Sequence, residues 1–194
     1  MISGYTKDTP YQDEIEQLRE GLERFGLRYK FYGYDCTGDW TKNTMYKAKI
    51  VKTALEEYPD TDICWLDADA IIKRSPSVLL GLHEQDFDIC CHFREKPNSN
   101  TINLQTGTIV FRNNEIVRSI VEDWANSSRV DWDHRLFQSL FENEYANKIR
   151  VYPLPESYIK INPKGHDIDD LECVIGHKQL SRSQRKALQR SSKH

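Results

Sequence analysis

Two carboxylates, Asp67 and Asp69, stand one residue apart at the end of the apolar run Ile63-Cys64-Trp65-Leu66. Read as a strand, that run sends alternate side chains to one side, so both carboxylates face a single pocket. Two convergent carboxylates repel each other unless a cation lies between them, and oxygen ligands of this kind suit hard divalent ions such as Mg²⁺ or Mn²⁺. Open α/β sheets bind ligands at the ends of their central strands. These residues therefore point to a metal near position 67 and a phosphate-bearing substrate beside it. Asp-x-Asp alone is a short pattern, common at solvated strand ends and helix caps, so its surroundings have to decide.

The elements that would position this pair follow from local patterning. Ile2 to Tyr5 reads as a short strand, and Thr9-Pro10 reads as an N-cap followed by proline at the first helical position. Ile15, Leu18, Leu22 and Phe25 recur at helical spacing until Gly26 supplies a stop. Leu27 to Tyr34 is a second strand, a helix is expected over 43–57, and Pro59-Asp60 breaks it before the strand ending at Asp69. This β-α-β-α-β order is the signature of a Rossmann-like α/β half with parallel strands. Beyond Pro76 come a short helix (Val78 to Leu82), a strand (Phe87 to Phe93), a polar loop (Arg94 to Thr101) and a strand (Leu104 to Phe111). Helices over Glu115 to Trp124 and about 133–144 come next, then strands over Ile149 to Leu154 and Cys173 to His177.

Length and composition bound the rest. A chain of 194 residues makes one domain with a substantial core. The formal net charge of −3 argues against a general nucleic-acid binder. No apolar run approaches the ~20 residues that span a bilayer, and the first residues resemble no signal peptide. The five cysteines are odd in number, lie mostly in apolar runs and lack zinc-ligand spacing. Buried free thiols in a reducing compartment, and hence a cytoplasmic protein, are the expectation.

Taken together, the segments resemble the GT-A-fold nucleotide-sugar glycosyltransferases, over nearly the whole chain to about residue 182. The matches occur in order: Tyr5-Thr6 ends the first strand, and Trp40-Thr41-Lys42-Asn43 with Lys47 precedes the acidic pair. Trp65-Leu66-Asp67-Ala68-Asp69-Ala70 looks like the metal-binding DxD segment, and Asn103 to Phe111 looks like the strand facing the donor sugar. Asp131-Trp132-Asp133-His134 opens the helix that carries an acidic residue near the reaction centre, and Val174-Ile175-Gly176-His177 resembles the late histidine closing the metal site.

The resemblance implies a GT-A sheet flanked by helices over residues 1–182 and a basic tail over 183–194. It implies transfer of a sugar from a UDP- or GDP-linked donor to a hydroxyl on a glycan, protein or lipid-linked sugar, with Mn²⁺ or Mg²⁺ held by Asp67, Asp69 and His177. Tyr5 would stack on the base beside Thr6. Trp40, Asn43 and Ala68 would line the donor site, and Gln105, Thr106 and Gly107 would line the sugar pocket. Lys47 would reach a phosphate, and Lys178 and Arg182 would clamp the diphosphate. Asp133, with Asp131 second, would be the carboxylate near the anomeric carbon, with a slight lean to retention. Bland readings stand beside these: a packed histidine, a surface lysine, and Asp131 as the cap of the helix beginning near 133. The basic tail is solvated or makes the chain's one membrane contact.

Three rival readings compete with this one. A haloacid-dehalogenase-type phosphatase would carry its Asp-x-Asp near the chain start. A nucleotidyltransferase would carry a glycine-rich loop after the first strand, which Tyr5 to Pro10 lacks. A degenerate nucleotide-sugar-binding module keeps the fold without turnover.

Overall fold

A computed structural model describes residues 1–95, 102–161 and 172–178. Strand β1 (Ile2–Thr6) leads into α1 (Pro10–Arg24), where the Thr9 hydroxyl accepts from the Tyr11 amide at 3.3 Å. The helix ends before Gly26, whose φ of +62° favours a residue without Cβ. After β2 (Lys30–Tyr34), the helix expected over 43–57 is divided at Met45 into α2 (Trp40–Thr44) and α3 (Tyr46–Glu57). Asp39 caps α2, accepting from the Thr41 amide at 2.8 Å, and so starts a helix ahead of the apolar periodicity.

Strand β3 (Ile63–Leu66) stops one residue short of Asp67, and β4 (Ala70–Ile72) begins just after Asp69. The acidic pair therefore sits in a turn, closed by the Ala70 amide on the Asp67 carbonyl at 2.9 Å. This corrects the expectation from strand alternation: chain reversal, not pleating, turns the two carboxylates toward one cavity. Next come α4 (Ser77–Gly81), β5 (Ile89–Glu95) and β6 (Ile102–Phe111). Helices α5 (Glu115–Ala125) and α6 (Asp133–Leu140) come after them, and the chain continues from α6 as a π-type turn over Phe141–Tyr145. Three short strands finish the described chain: β7 (Val151–Pro153), β8 (Lys160–Ile161) and β9 (Ile175–His177). At two residues, β8 is too short to leave a periodic pattern.

The main sheet has the order β2-β1-β3-β6-β5-β7. Strands β2, β1 and β3 are parallel, as the β-α-β-α-β order requires, and β6 runs antiparallel to both of its neighbours. Alternation along the strands feeds two cores. Ile63, Trp65, Ile109 and Phe111 face α3, α5 and α6, whereas Cys64, Leu66 and Val110 face α1 and the small sheet β4-β9-β8. All five cysteines are free thiols, and only Cys36 is exposed. Among the described residues no helix is long and apolar enough to cross a membrane. The basic tail and Arg182 lie outside the described residues.

Two features of the sheet set its functional and structural ends apart. Between β5 and β6 the register passes from Cys91↔Ile109 directly to His92↔Gln105. Thr106, Gly107 and Thr108 are thus an insertion on β6 without partners on β5, a bulge of the kind that re-aims side chains at sites. At the opposite end of β5, buried Asp88 ties three elements together. Its carboxylate accepts from the Arg150 amide, Nε and Nη2 at 2.8, 3.0 and 2.9 Å, and from Asn114 Nδ2 at 2.7 Å. Asn114 in turn caps α5 through the Val117 amide at 3.0 Å.

Candidate active site

A cavity of about 500 Å³ opens where the Asp67–Asp69 turn meets the β6 bulge. Asp67, Asp69 and His177 each present one ligand atom, all within 4.8 Å of one another. The small sheet produces this meeting: Ala70 of β4 pairs with His177 of β9, which sets the histidine beside Asp69. His177 Nδ1 lies 3.7 Å from Asp69 Oδ1. The imidazole is fixed from behind, where Nε2 shares a 3.0 Å hydrogen bond with Thr108 Oγ1. Among the described residues, buried Nδ1 has no hydrogen-bond partner. A buried polar atom left unpaired is expensive, and one aimed at two carboxylates would be satisfied by a cation held among the three. Two oxygens and one imidazole nitrogen form a donor set that fits a divalent metal ion.

Gly107 makes the approach sterically possible. A Cβ there would lie 2.9 Å from Ile159 Cδ1, 3.1 Å from His177 Cε1 and 3.3 Å from Asp67 Oδ2. The Gly107 carbonyl also accepts from the Asp67 amide at 2.8 Å, which seats the acidic turn on the bulge.

Lys47 organises the other side of the cavity. It is buried on α3, and its ammonium bridges Asp67 Oδ1 and Asp133 Oδ2, each at 2.8 Å. Burial alone would pull its pKa down, but the Coulombic attraction of Asp133 and then Asp67 outweighs that and holds the group protonated, above its ordinary value. Trp65 Nε1 donates to the same Asp67 oxygen at 2.8 Å, so Asp67 is oriented from two directions. Burial raises the pKa of Tyr11 at the mouth of α1, and the negative charge of Asp69 and Asp67 raises it further, so the phenol stays neutral.

Of the residues singled out in the sequence, Tyr5, Thr6, Trp40, Asn43, Lys47, Asp67, Ala68, Asp69, Gln105, Thr106, Gly107, Asp133 and His177 all line this cavity. Asp131 and Lys178 do not. Asp131 pairs with Arg129 at 3.1 Å and accepts from the Trp132 amide at 2.8 Å, and it is not the cap of α6, whose N-cap residue is Trp132. Lys178 Nζ is held by Glu14 and Gln17 of α1 at 2.7 and 2.6 Å, while its amide reaches the Asp69 carbonyl at 3.3 Å. Sequence reasoning missed Trp65, Thr108, Tyr11 and Trp132. The signal for Trp65 was present, since an indole in an otherwise apolar buried strand carries an N–H that needs a partner.

Solved glycosyltransferases share this architecture. A glycosyltransferase involved in glycosylation of the major capsid of PBCV-1 superposes with a TM-score of 0.68 at 18% identity, over 97% of each chain. The glycosyltransferase GlyE of Streptococcus pneumoniae TIGR4 gives 0.59 at 14% identity, over 91% of this chain and 54% of that one. The galactosyltransferase LgtC, solved with donor and acceptor sugar analogs, gives 0.51 at 10% identity, over 91% and 86%. The fold is therefore GT-A, with a mixed central sheet flanked by helices. No family model and no curated sequence matches the chain.

Proposed function

We propose that this protein is a metal-dependent glycosyltransferase that moves a sugar from a nucleoside-diphosphate donor to a hydroxyl acceptor. The observation that carries the reading is buried His177 Nδ1, unpaired and aimed at the Asp69 carboxylate beside Asp67. The GT-A fold supports it. Asp67, Asp69 and His177 would hold Mn²⁺ or Mg²⁺, which when bound would neutralise charge on the diphosphate as the glycosidic bond breaks. With Nε2–H donating to Thr108, Nδ1 is left with a lone pair for that role.

The remaining roles follow from position. Tyr5 and Thr6, on β1 at the cavity edge, are placed to hold the base and ribose, with Trp40 and Asn43 beside them. Gln105, with Thr106 and Gly107 of the bulge beside it, would face the donor sugar. In the transfer, the bond between C1 and the phosphate oxygen breaks with its electron pair leaving on the diphosphate. The acceptor oxygen bonds to C1, and its proton passes to the departing phosphate oxygen. Asp133 Oδ2 is already engaged by Lys47, with Thr106 Oγ1 at 3.5 Å. A carboxylate held this way suits fixed charge beside an oxocarbenium-like centre better than proton removal, which favours retention of configuration.

Calorimetry with UDP, GDP and CDP, each with Mn²⁺ and with EDTA, tests the reading. The expected result is binding of one diphosphate that vanishes with the chelator. Binding unaffected by EDTA would remove the metal, and binding of none to folded protein would remove the donor site.

A further inference from the structure

Strand β3 pairs with β6 only as far as Leu66↔Thr108, while β6 runs on to Ile102. Along this edge, side chains take the place of a neighbouring strand: the Leu104 amide donates to Gln138 Oε1 of α6 at 3.3 Å, and the Thr106 carbonyl accepts from Lys47 Nζ at 3.4 Å. Beside the edge lies a second cavity of about 330 Å³, lined by Asn103, His134, Arg135, Gln138, Ser139 and Glu142. Asn103 and His134 also line the main cavity, so the two adjoin beside Asp133. Its volume is near the lower end of small-molecule sites, about 300–1,000 Å³.

The lining has a definite chemistry. All six side chains are polar, and the apolar part of the wall is confined to their stems, a poor match for a lipid tail. One guanidinium and one carboxylate cancel, and burial lowers the His134 pKa, assisted by Lys47 and Arg135 against the opposing pull of Asp133, so the imidazole is neutral. The groove therefore favours a neutral ligand rich in hydroxyls over an anion. Part of it is preset, because Gln138 is pinned between the Leu104 amide and Glu142 Oε1 at 2.7 Å. Aromatic faces stand close by. Trp132 packs edge-on to Trp40 at 5.5 Å, both indoles line the main cavity, and the Arg135 guanidinium lies 4.2 Å from the Trp132 ring. A pyranose has an apolar C–H face that stacks on such rings and a rim of hydroxyls that pairs with carboxamide, guanidinium and carboxylate groups.

We propose that this groove is the acceptor subsite and that it takes a neutral pyranoside, whose free hydroxyl enters the main cavity past His134. The assignment rests on the glycosyltransferase reading of that cavity. It places acceptor recognition on α6, next to Asp133, with the sugar contacting groups that the donor does not use.

The test measures Mn²⁺-dependent nucleotide release from the sugar donor of the diphosphate that binds, using UDP-glucose, UDP-galactose and GDP-mannose. Methyl α- and β-pyranosides of glucose, galactose, mannose, rhamnose, fucose and xylose are added in turn. At least one glycoside should accelerate release saturably. Arg135→Ala and Glu142→Ala should each raise its half-saturating concentration about tenfold, the loss of one charge-assisted hydrogen bond. Ser139→Trp, which fills the groove, should abolish the acceleration. Donor affinity by calorimetry checks that each variant is folded. Should Ser139→Trp fail to fold, the two exposed-residue variants still decide the matter. Glycoside saturation unchanged in Arg135→Ala and Glu142→Ala would place the acceptor elsewhere. Failure of every glycoside with donor binding intact would overturn the sugar class and leave the donor reading standing, pointing to a peptide or lipid-phosphate acceptor. Absence of donor binding would overturn both.

Discussion

The protein buries two carboxylate clusters and treats them in opposite ways. At the start of β5, every lone-pair direction of Asp88 is used: four donors from Arg150 and Asn114 surround it, and the carboxylate is held down at about 2 by the Arg150 hydrogen bonds first, with burial opposing. At the Asp67–Asp69 turn, Asp67 and Asp133 share the Lys47 ammonium, and among the described residues His177 Nδ1 is left unpaired. The first cluster holds β5, α5 and β7 in register. The second leaves a buried imidazole nitrogen unpaired beside two carboxylates, where a bound cation would complete it. Full pairing marks the structural cluster, and an unpaired ligand atom beside the carboxylates marks the candidate site.

Four single variants, one of them also combined with a second substitution, test that contrast. Lys47→Met should have the largest effect, because it strands two carboxylates around an apolar side chain; a loss of about 3–5 kcal/mol in urea unfolding is expected. Adding Asp133→Asn should return part of it, and wild-type stability in the single variant would mean that the ion triad is not a buried one. Asp88→Ala should lose about 2–3 kcal/mol, with the site's metal response untouched. Because folding lowers the Asp88 pKa, its contribution is present in full above about pH 4 and disappears as the pH falls toward 2. The stability gap between wild type and variant should close over that window, and a gap that persists at pH 2 would assign the loss to packing.

Trp65→Phe removes one of two donors to Asp67 and should cost about 1–2 kcal/mol, with weaker Mn²⁺-dependent binding of the diphosphate as the readout. Asp69→Asn keeps the side chain's shape and should change stability in EDTA least, by under about 0.5 kcal/mol, since relieved repulsion from Asp67 offsets what the carboxylate gains from its partners. It should nonetheless erase the Mn²⁺-dependent rise in Tm and abolish turnover. A destabilised Asp69→Asn protein in EDTA would place Asp69 with Asp88, among the structural carboxylates.

Much of this architecture was legible where a residue type has a single local job. Thr9-Pro10 and Gly26 bound α1 as a cap and a left-handed stop, and the β-α-β-α-β order pointed to the parallel half. Legibility failed where the partner is distant. Nothing near Lys47 in sequence announces that its ammonium meets residues 67 and 133, because three elements converge only after folding. Likewise β9 has three residues, too few for periodicity, so His177 was reachable only through the ordered resemblance. Asp131 and Asp133 carry the same chemistry two residues apart, and only the entry of the chain into α6 separates an exposed ion pair with Arg129 from a cavity wall. The turn at Asp67 was hidden because an apolar run shows where a strand runs, while its end is set by the pairing with β6.

The early end of β3 also affects how the sheet opens. Inside the β3–β6 ladder, amides such as that of Ile109 are locked by a neighbouring strand. The Leu104 amide depends instead on a glutamine side chain from α6, a bond that one rotamer change can release. In native-state hydrogen exchange it should therefore trade its proton well before Ile109, and it should slow when a sugar fills the groove against Gln138. One backbone proton would then act as a built-in reporter of acceptor occupancy, readable without any chemistry taking place.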